Sequence, residues 1–124
     1  VEPLRPQQSF HPRKMSEVIL DFAQPLLEAL DDDELFENAI SCAVACWNLS
    51  FLPEKKQQSL LRSMLNEFGK YDRLMRLEAD DCSRMLLERK KALFADDRRL
   101  VVNYKVVEEK DGQRLVVMST PVKN

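Results

Sequence analysis

The sequence predicts a mainly α (α+β) fold, in which a four-helix bundle-like core is followed by a C-terminal β-hairpin. Two patterns support this prediction. Apolar residues recur at helical spacing over residues 16–98, and the stretch from Asn38 to Leu52 is apolar or small on nearly every side, as in a buried central helix. After Leu100 the spacing changes to two, and Asp111-Gly112 separates two valine-rich runs, which is a strong hairpin signal.

The same patterns divide the 124-residue chain into three parts. Residues 1–15 are predicted to form an extended N-terminal arm, because the first 14 residues contain three prolines and no apolar period. Residues 16–98 are predicted to form the helical bundle. Residues 99–120 are predicted to form the hairpin, packed either on the bundle or on a second subunit.

Composition limits the classes of function. Contents of 44% apolar and 32% charged residues are typical of an ordinary globular protein. A net charge of −2 gives no electrostatic basis for binding nucleic acid or an anionic membrane, so we expect neither partner. The two glycines do not form a phosphate-binding loop. No signal peptide or membrane-spanning run is recognised, so the sequence favours a cytoplasmic protein.

The first helix is predicted over residues 16–30, with Ser16 as its N-cap. Its apolar residues follow helical spacing and mark one buried face. Pro25 lies inside this pattern and lacks the N–H that would bond the preceding turn. We therefore expect a kink or a break near residues 21–24.

The central helix is predicted from about Asp33 to Phe51, preceded by four consecutive acidic residues at positions 31–34. These acids suit a helix start, where carboxylates accept hydrogen bonds from backbone N–H groups and complement the helix dipole. A calcium loop is the alternative, but its alternating ligands, glycine and distant glutamate are not present. Helix capping is therefore preferred over metal binding.

Two further helices complete the predicted bundle. One runs from about Pro53 to Phe68 and shows a single apolar face. The other runs from about Tyr71 to Asp96, and its charges alternate in sign along the outer face. Such alternation is typical of a solvated helix with ion pairs rather than of a helix that binds phosphate. Arg89, Lys90 and Lys91 near its end are explained by the helix dipole.

The three cysteines admit a structural and a chemical interpretation. Cys42 and Cys46 lie one helical turn apart in the most apolar stretch, which favours reduced thiols buried in the core. A zinc site would require four ligands, and the remaining candidates are Cys82 and His11, the single histidine, which lies in the arm. We therefore predict no metal site and no cofactor.

The hairpin turn predicts a register between the two strands. If Asp111 and Gly112 form a two-residue turn, Glu109 lies opposite Arg114 and Val106 lies opposite Val117. The first of these pairs joins opposite charges, which stabilises neighbouring strands.

The predicted hairpin is apolar on both faces, which leads to a hypothesis about assembly. A hairpin that lies over the bundle buries one face only, and an isolated two-stranded sheet is marginally stable. A second copy of the chain, paired edge to edge or stacked face to face, would bury the other surface. The alternative is a hairpin wedged between the helices and the N-terminal arm of its own chain. The predicted dimer interface consists of Val102, Tyr104, Val106, Leu115 and Val117.

These features favour a small non-enzymatic interaction or scaffold protein, a homodimer through its hairpin, with an unidentified protein partner. No catalytic motif is recognised, and no catalytic residues are predicted. One alternative is a nucleic-acid-associated regulator, since helices followed by a hairpin are similar to winged-helix proteins in the order of elements alone. Another is a small-ligand-binding protein, whose predicted pocket is lined by Cys46, Trp47, Glu78 and Cys82.

Overall fold

The computed structural model describes residues 13–30, 35–69 and 73–122, apart from the side chains at positions 65, 67–69 and 73–79. Within these ranges the chain forms helices followed by one antiparallel hairpin. The helices are α1 (Met15–Phe22), α2 (Gln24–Glu28), α3 (Phe36–Leu49), α4 (Glu54–Gly69) and α5 (Arg73–Leu93), and the strands are β1 (Arg99–Glu109) and β2 (Gly112–Pro121).

The mixed helix-and-strand class is confirmed, whereas a four-helix bundle core is not. The main core forms where α1, α3 and α5 meet the inner face of the hairpin, around the fully buried Trp47 and Phe22. Helix α4 packs mainly along α5 and joins a smaller, separate cluster through Leu61, with Leu49 and Leu87. The hairpin therefore covers the main core, and two of the described apolar side chains of α4, Leu61 and Met64, belong to the other cluster.

The predicted break at Pro25 is confirmed. Helix α1 ends at Phe22, Ala23 forms the junction, and α2 begins at Gln24. The helix start was predicted one residue too late: α1 begins at Met15, and its N-cap is Lys14 without a side-chain hydrogen bond, so Ser16 does not cap it. Met15, assigned to the arm by the sequence, is buried in the core.

Arg89 of α5 compensates for the hydrogen bonds lost at this break. Pro25 has no N–H to offer the carbonyl of Asp21, and Leu26 bonds Ala23 rather than Phe22. The guanidinium of Arg89 donates to both carbonyls, at 2.9 Å to Asp21 and 3.1 Å to Phe22. Its contact thereby joins the end of α1 to the end of α5.

The other helices were predicted at the right places, but α3 and α5 end earlier than expected. Helix α3 ends at Leu49 rather than Phe51, and α5 ends at Leu93 rather than Asp96, whereas their predicted starts at 33 and 71 lie outside the described residues. Helix α4 begins at Glu54, immediately after Pro53, as expected. The acidic residues 31–34 and the arm over residues 1–12 lie outside the described residues.

The substitution Arg89→Met tests the role of Arg89 at the break. It retains a long apolar stem but leaves the carbonyl of the fully buried Phe22 without its donor. We expect a loss of about 2–3 kcal/mol in the free energy of unfolding, measured by urea denaturation. The matched control is Arg84→Met on the same helix, which removes only an exposed ion pair with Asp80 and is expected to cost less than about 1 kcal/mol. Equal losses in the two variants would contradict this role.

The hairpin exists as predicted, but its turn lies one residue earlier. Lys110 and Asp111 form the turn, and Glu109 lies opposite Gly112, so the predicted register was wrong. A turn centred on Asp111 and Gly112 of the usual hairpin type requires positive φ at both residues. Among the described residues only Gly112 has a positive φ (132°). The glycine thus follows the turn, which is a position that favours it.

The expected attraction between Glu109 and Arg114 survives this change of register. Their side chains form an ion pair with an N–O distance of 2.9 Å. They are diagonal neighbours, because the residue directly opposite Arg114 is Val107. The predicted partner of Val106 was Val117, and the structure places Leu115 there instead. Since the register differs by two residues, each side chain of β2 still points to the predicted face.

A β-bulge at Val102 changes the inner face of β1. Val101 lies opposite Ser119 and Asn103 lies opposite Met118, so Val102 has no partner of its own. On the N-terminal side of the bulge, the extra residue reverses which side chains of β1 point to the inner face and which to the outer face. Val101 is consequently buried, with 5% of its surface exposed, and Val102 is 61% exposed. The sequence predicted that Val102 shares a face with Tyr104 and Val106, because a bulge gives no clear signal in a run of valines.

Helix α3 holds the bulged end of β1 through two adjacent side chains. The indole N–H of Trp47 donates to the carbonyl of Arg99 at 2.6 Å. The side-chain amide of Asn48 donates to the carbonyl of Val101 and accepts from its N–H, both at 2.9 Å. The amide of Asn48 therefore bonds to Val101 as a neighbouring strand would.

The substitution Asn48→Ala tests this attachment. It removes two hydrogen bonds to the backbone of a buried residue, and we expect the free energy of unfolding to fall by about 2–3 kcal/mol in a urea titration. The matched control is Asn38→Ala, which truncates an exposed asparagine on the same helix. The control is expected to change stability by less than about 0.5 kcal/mol. An Asn48→Ala variant as stable as the control would show that the attachment is dispensable.

Candidate functional site

The structure places four of the five predicted interface residues against the helices of their own chain. Leu115 is buried in the main core, with 5% of its surface exposed. Tyr104, Val106 and Val117 pack around it on the same face. This inner face of the hairpin is therefore occupied within the chain. The fifth residue, Val102, lies on the opposite face because of the bulge.

The outer face of the hairpin carries the exposed apolar residues. Val102, Val116 and Met118 expose 61%, 39% and 59% of their surfaces. Val116 lies opposite Lys105, and Met118 lies opposite Asn103, so polar side chains flank them. This outer face is defined here by Val102, Val116 and Met118. It has the mixed apolar and polar character of a surface that can meet another protein.

Trp47 is enclosed by aromatic side chains rather than by a ligand cavity. The rings of Phe22, Phe94 and Phe51 lie edge-on to its indole at centroid distances of 5.2, 5.8 and 6.3 Å. Such contacts are favourable and fill the space around the ring. A ligand pocket was predicted beside Trp47. On the sides where these three rings lie, core side chains fill that space.

Lys90 also contacts this aromatic cluster, although it is a charged residue. Its ammonium lies 4.6 Å from the centroid of the Trp47 ring and 4.7 Å from that of Phe51. It donates to the carbonyls of Phe94 and Asp97 at 2.8 and 3.1 Å. Burial lowers the pKa of Lys90, and the charge of Asp97 opposes that change. The residue therefore closes the C-terminal end of α5 and stacks on the core.

The predicted pocket residues separate into two groups in the structure. Cys46 and Cys82 belong to a thiol cluster between α3 and α5, which also includes Cys42 and Ser83. Trp47 belongs to the aromatic cluster, because its side chain leaves α3 in another direction. The side chain of Glu78 lies outside the described residues. The predicted residues therefore do not line a single pocket, although Cys46 and Cys82 belong to the same cluster.

Hydrogen bonds within the thiol cluster shift the pKa values of Cys42 and Cys46 in opposite directions. The thiol of Cys46 donates to the sulfur of Cys42 and lowers the pKa of Cys42 to about 7, against the effect of burial. The hydroxyl of Ser83 supports the same change with a second hydrogen bond. The hydrogen bond with Cys42, together with burial, raises the pKa of Cys46. The pair therefore loses its first proton more readily than an ordinary thiol does, and its second proton less readily.

Sequence reasoning identified only part of this cluster. The one-turn spacing of Cys42 and Cys46 was visible and was interpreted as core packing, and Cys42 was not placed in the candidate site. Ser83 gave no signal, because serine on a charged helix is common. Its 2% exposure and its contact with Cys42 depend on how α5 packs on α3. The spacing of the cysteines was therefore the only clue available beforehand.

Two kinds of feature are absent from the described residues. Among the described side chains, no group of three or more His, Cys, Asp or Glu residues is arranged to hold a metal ion. None of the described helices has the length and apolar content required to cross a membrane. Comparison with protein-family models, curated proteins and solved structures gives no match.

The acidity of Cys42 can be measured by alkylation. Because only the thiolate reacts, we expect the rate of iodoacetamide labelling at Cys42 to reach half its plateau near pH 7. Cys46 is expected to remain unlabelled until the protein unfolds. Fragment-ion mass spectrometry distinguishes the two positions, and labelling in denaturant provides the control. A midpoint for Cys42 above about pH 8.5, the value of an unperturbed thiol, would contradict the hydrogen-bonded arrangement.

Proposed function

We propose that this chain is a small interaction protein that forms a homodimer through the outer edge of β2. The main support is the contrast between the two edges of the hairpin. One edge is partly covered by the helices of the same chain, whereas the other carries few of the features that usually prevent strands from pairing.

The edge formed by β1 is covered at its N-terminal end. Trp47 bonds the carbonyl of Arg99, and Asn48 bonds both backbone groups of Val101. These groups are therefore unavailable to an added strand. The remainder of β1 carries charged side chains and the bulge, both of which oppose edge pairing. The charged residues are Lys105, Glu108 and Glu109.

The edge formed by β2 has less protection. Its ten residues include one charged side chain, Arg114, near the turn, and one proline, Pro121, at the far end. The register between β1 and β2 shows no irregularity outside the one bulge of β1. A regular strand with few charges at a sheet edge favours pairing with another strand. The segment from Leu115 to Thr120 is therefore the best candidate for such pairing.

A second copy of the same chain fits this edge. An antiparallel pair made from two identical strands has two-fold symmetry, in which residue i meets residue j and j meets i. The two hairpins would then form a sheet of four strands with the helices of both copies on the same face. Val116 and Met118 of one copy would lie beside those of the other, and this contact would bury apolar surface that each copy exposes alone.

Face-to-face stacking is the competing geometry, and Val102 distinguishes it from edge pairing. Stacking of two outer faces would bury Val102 together with Val116 and Met118. Edge pairing leaves Val102 exposed, because β1 lies on the far side of the hairpin from the paired edge.

The dimer is tested by light scattering on the wild-type chain and on two variants. We expect the wild type to have twice the 14.5 kDa mass of one chain. The double variant Val116→Lys, Met118→Lys places like charges at the paired edge and is expected to be a monomer. Because both positions are exposed, its circular dichroism should match that of the wild type.

The matched control is Val102→Lys, which adds a charge to the same face at a distance from the β2 edge. Edge pairing predicts that this variant remains a dimer. A monomeric Val102→Lys variant would favour stacked faces and contradict edge pairing. A wild-type chain that is monomeric at high concentration would contradict the proposed function itself. Substitutions at Val106 and Val117 are unsuitable, because these residues pack on the chain's own core.

A further inference from the structure

The direction of the backbone groups along β2 determines which of its residues can bond a partner. Val122, directly after β2, donates to the carbonyl of Arg98 at 2.8 Å, so its backbone points toward β1. This direction alternates from residue to residue, and the only irregularity in the register lies on β1. The residues that bond β1 are therefore Thr120, Met118, Val116 and Arg114. The residues whose N–H and C=O point to the open edge are Leu115, Val117 and Ser119.

The neighbouring residues obey the same alternation. On β1, the backbone groups of Arg99 and Val101 bond side chains of α3 and therefore point away from β2. Pro121 lies at an outward position of β2, where a missing N–H costs no bond to β1. Helix α1 packs on the inner face of β2. Among the described residues, no group bonds the outward backbone atoms of β2.

We propose that the β2 strands of two copies pair antiparallel about Val117, which exchanges both backbone hydrogen bonds with the partner's Val117. This inference rests on the proposed function and names the residues through which the second copy is recognised. Leu115 then exchanges hydrogen bonds with the partner's Ser119. Val116 lies opposite the partner's Met118 on the outer face, in a pair without hydrogen bonds of its own.

The alternation of β2 limits the registers that two copies can adopt. In an antiparallel pair, a residue whose backbone groups point outward must meet another such residue. The two-fold axis therefore passes through a residue rather than between two residues. Axes at Val116 and Val117 lie near the middle of the strand Gly112–Pro121 and pair almost all of it. Any other axis leaves more of the strand unpaired at its ends.

The side chains of the outer face distinguish these two registers. With the axis at Val117, the exposed Val116 and Met118 of each copy meet apolar side chains of the other, which buries apolar surface twice. With the axis at Val116, Met118 would lie opposite the partner's Arg114. That side chain is charged and forms an ion pair with Glu109 of its own chain. The axis at Val117 is therefore favoured, and it places Arg114 opposite the partner's polar Thr120.

The register is tested by disulfide formation between two variants of the full chain. Val116→Cys and Met118→Cys are prepared separately, mixed and equilibrated in a glutathione buffer. The Cα atoms of an opposed pair without hydrogen bonds are about 4.5 Å apart, within the range of about 4.4–6.8 Å that a disulfide requires. We expect the mixed disulfide to be the main cross-linked product, at least fivefold above that of either variant alone. Peptide mass spectrometry separates it from disulfides of the native cysteines.

The alternative registers give different products. A main product from Val116→Cys alone would place the axis at Val116, and one from Met118→Cys alone would place it at Met118. Either result would overturn the proposed register. The matched control mixes Val102→Cys with Met118→Cys, since Val102 is exposed on the same face but lies on β1. We expect no cross-link there, and a yield equal to that of the first mixture would overturn the proposal.

The mass measurement separates failure of the register from failure of the dimer. A chain that is dimeric by light scattering and forms no mixed disulfide would overturn the register and leave the proposed function in place. Stacked outer faces would give this result, because packed sheets lie about 10 Å apart, too far for a disulfide. A chain that is monomeric at high concentration would overturn both.

A pair of proline variants tests the assignment of the backbone directions. Ser119→Pro removes an N–H that points to the open edge, and we expect the dissociation constant of the dimer to rise about tenfold or more, with an unchanged circular dichroism spectrum. The matched control Thr120→Pro removes an N–H that points to β1, and we expect it to lower the melting temperature further than Ser119→Pro does. A dissociation constant unchanged by Ser119→Pro, or the reverse order of melting temperatures, would overturn the assignment.

Discussion

The hydrogen bonds between α3 and the start of β1 are the interaction on which the rest of the structure depends. Asn48 satisfies both backbone groups of Val101, and Trp47 satisfies the carbonyl of Arg99. A helix that contacted this strand only through apolar packing could slide along it. These directional bonds fix which residue of β1 lies above the core. The bulge at Val102 then follows, because Val101 is held inward while the remainder of β1 keeps its pairing with β2.

Cationic side chains at the end of α5 have a second structural role. The sequence explains Arg89 and Lys90 by the helix dipole alone, yet both donate to backbone carbonyls in the structure. Arg89 replaces the donors lost at Pro25, and Lys90 closes the end of its own helix. Both also lie over aromatic rings of the core. Charged groups are retained here because a donor is needed where the backbone lacks a partner and where the nearby surface is aromatic.

Helix α3 contacts both the hairpin and α5. The C-terminal end of α3 bonds the β1 edge of the hairpin, and the proposed dimer therefore uses the β2 edge. The middle of α3 carries Cys42 and Cys46, which meet Ser83 of α5. The residues between them are small or buried, and this composition allows both α5 and the hairpin to approach α3 closely. The apolar residues of α3 therefore pack against the hairpin and α5, and the same helix holds Cys42 and Cys46 beside α5.

The sequence by itself determined the elements of this protein: the helices, the break at Pro25 and the hairpin near Gly112. These features depend on local chemistry, namely apolar spacing, the missing N–H of proline and the positive φ that glycine allows. It also placed Cys42 and Cys46 one turn apart. Only the tertiary structure decided that the hairpin covers the main core, that Val101 rather than Val102 faces inward, and that Ser83 lies beside Cys42. Each of these outcomes depends on contacts between residues far apart in the chain, where several partners have similar local propensities and packing selects among them.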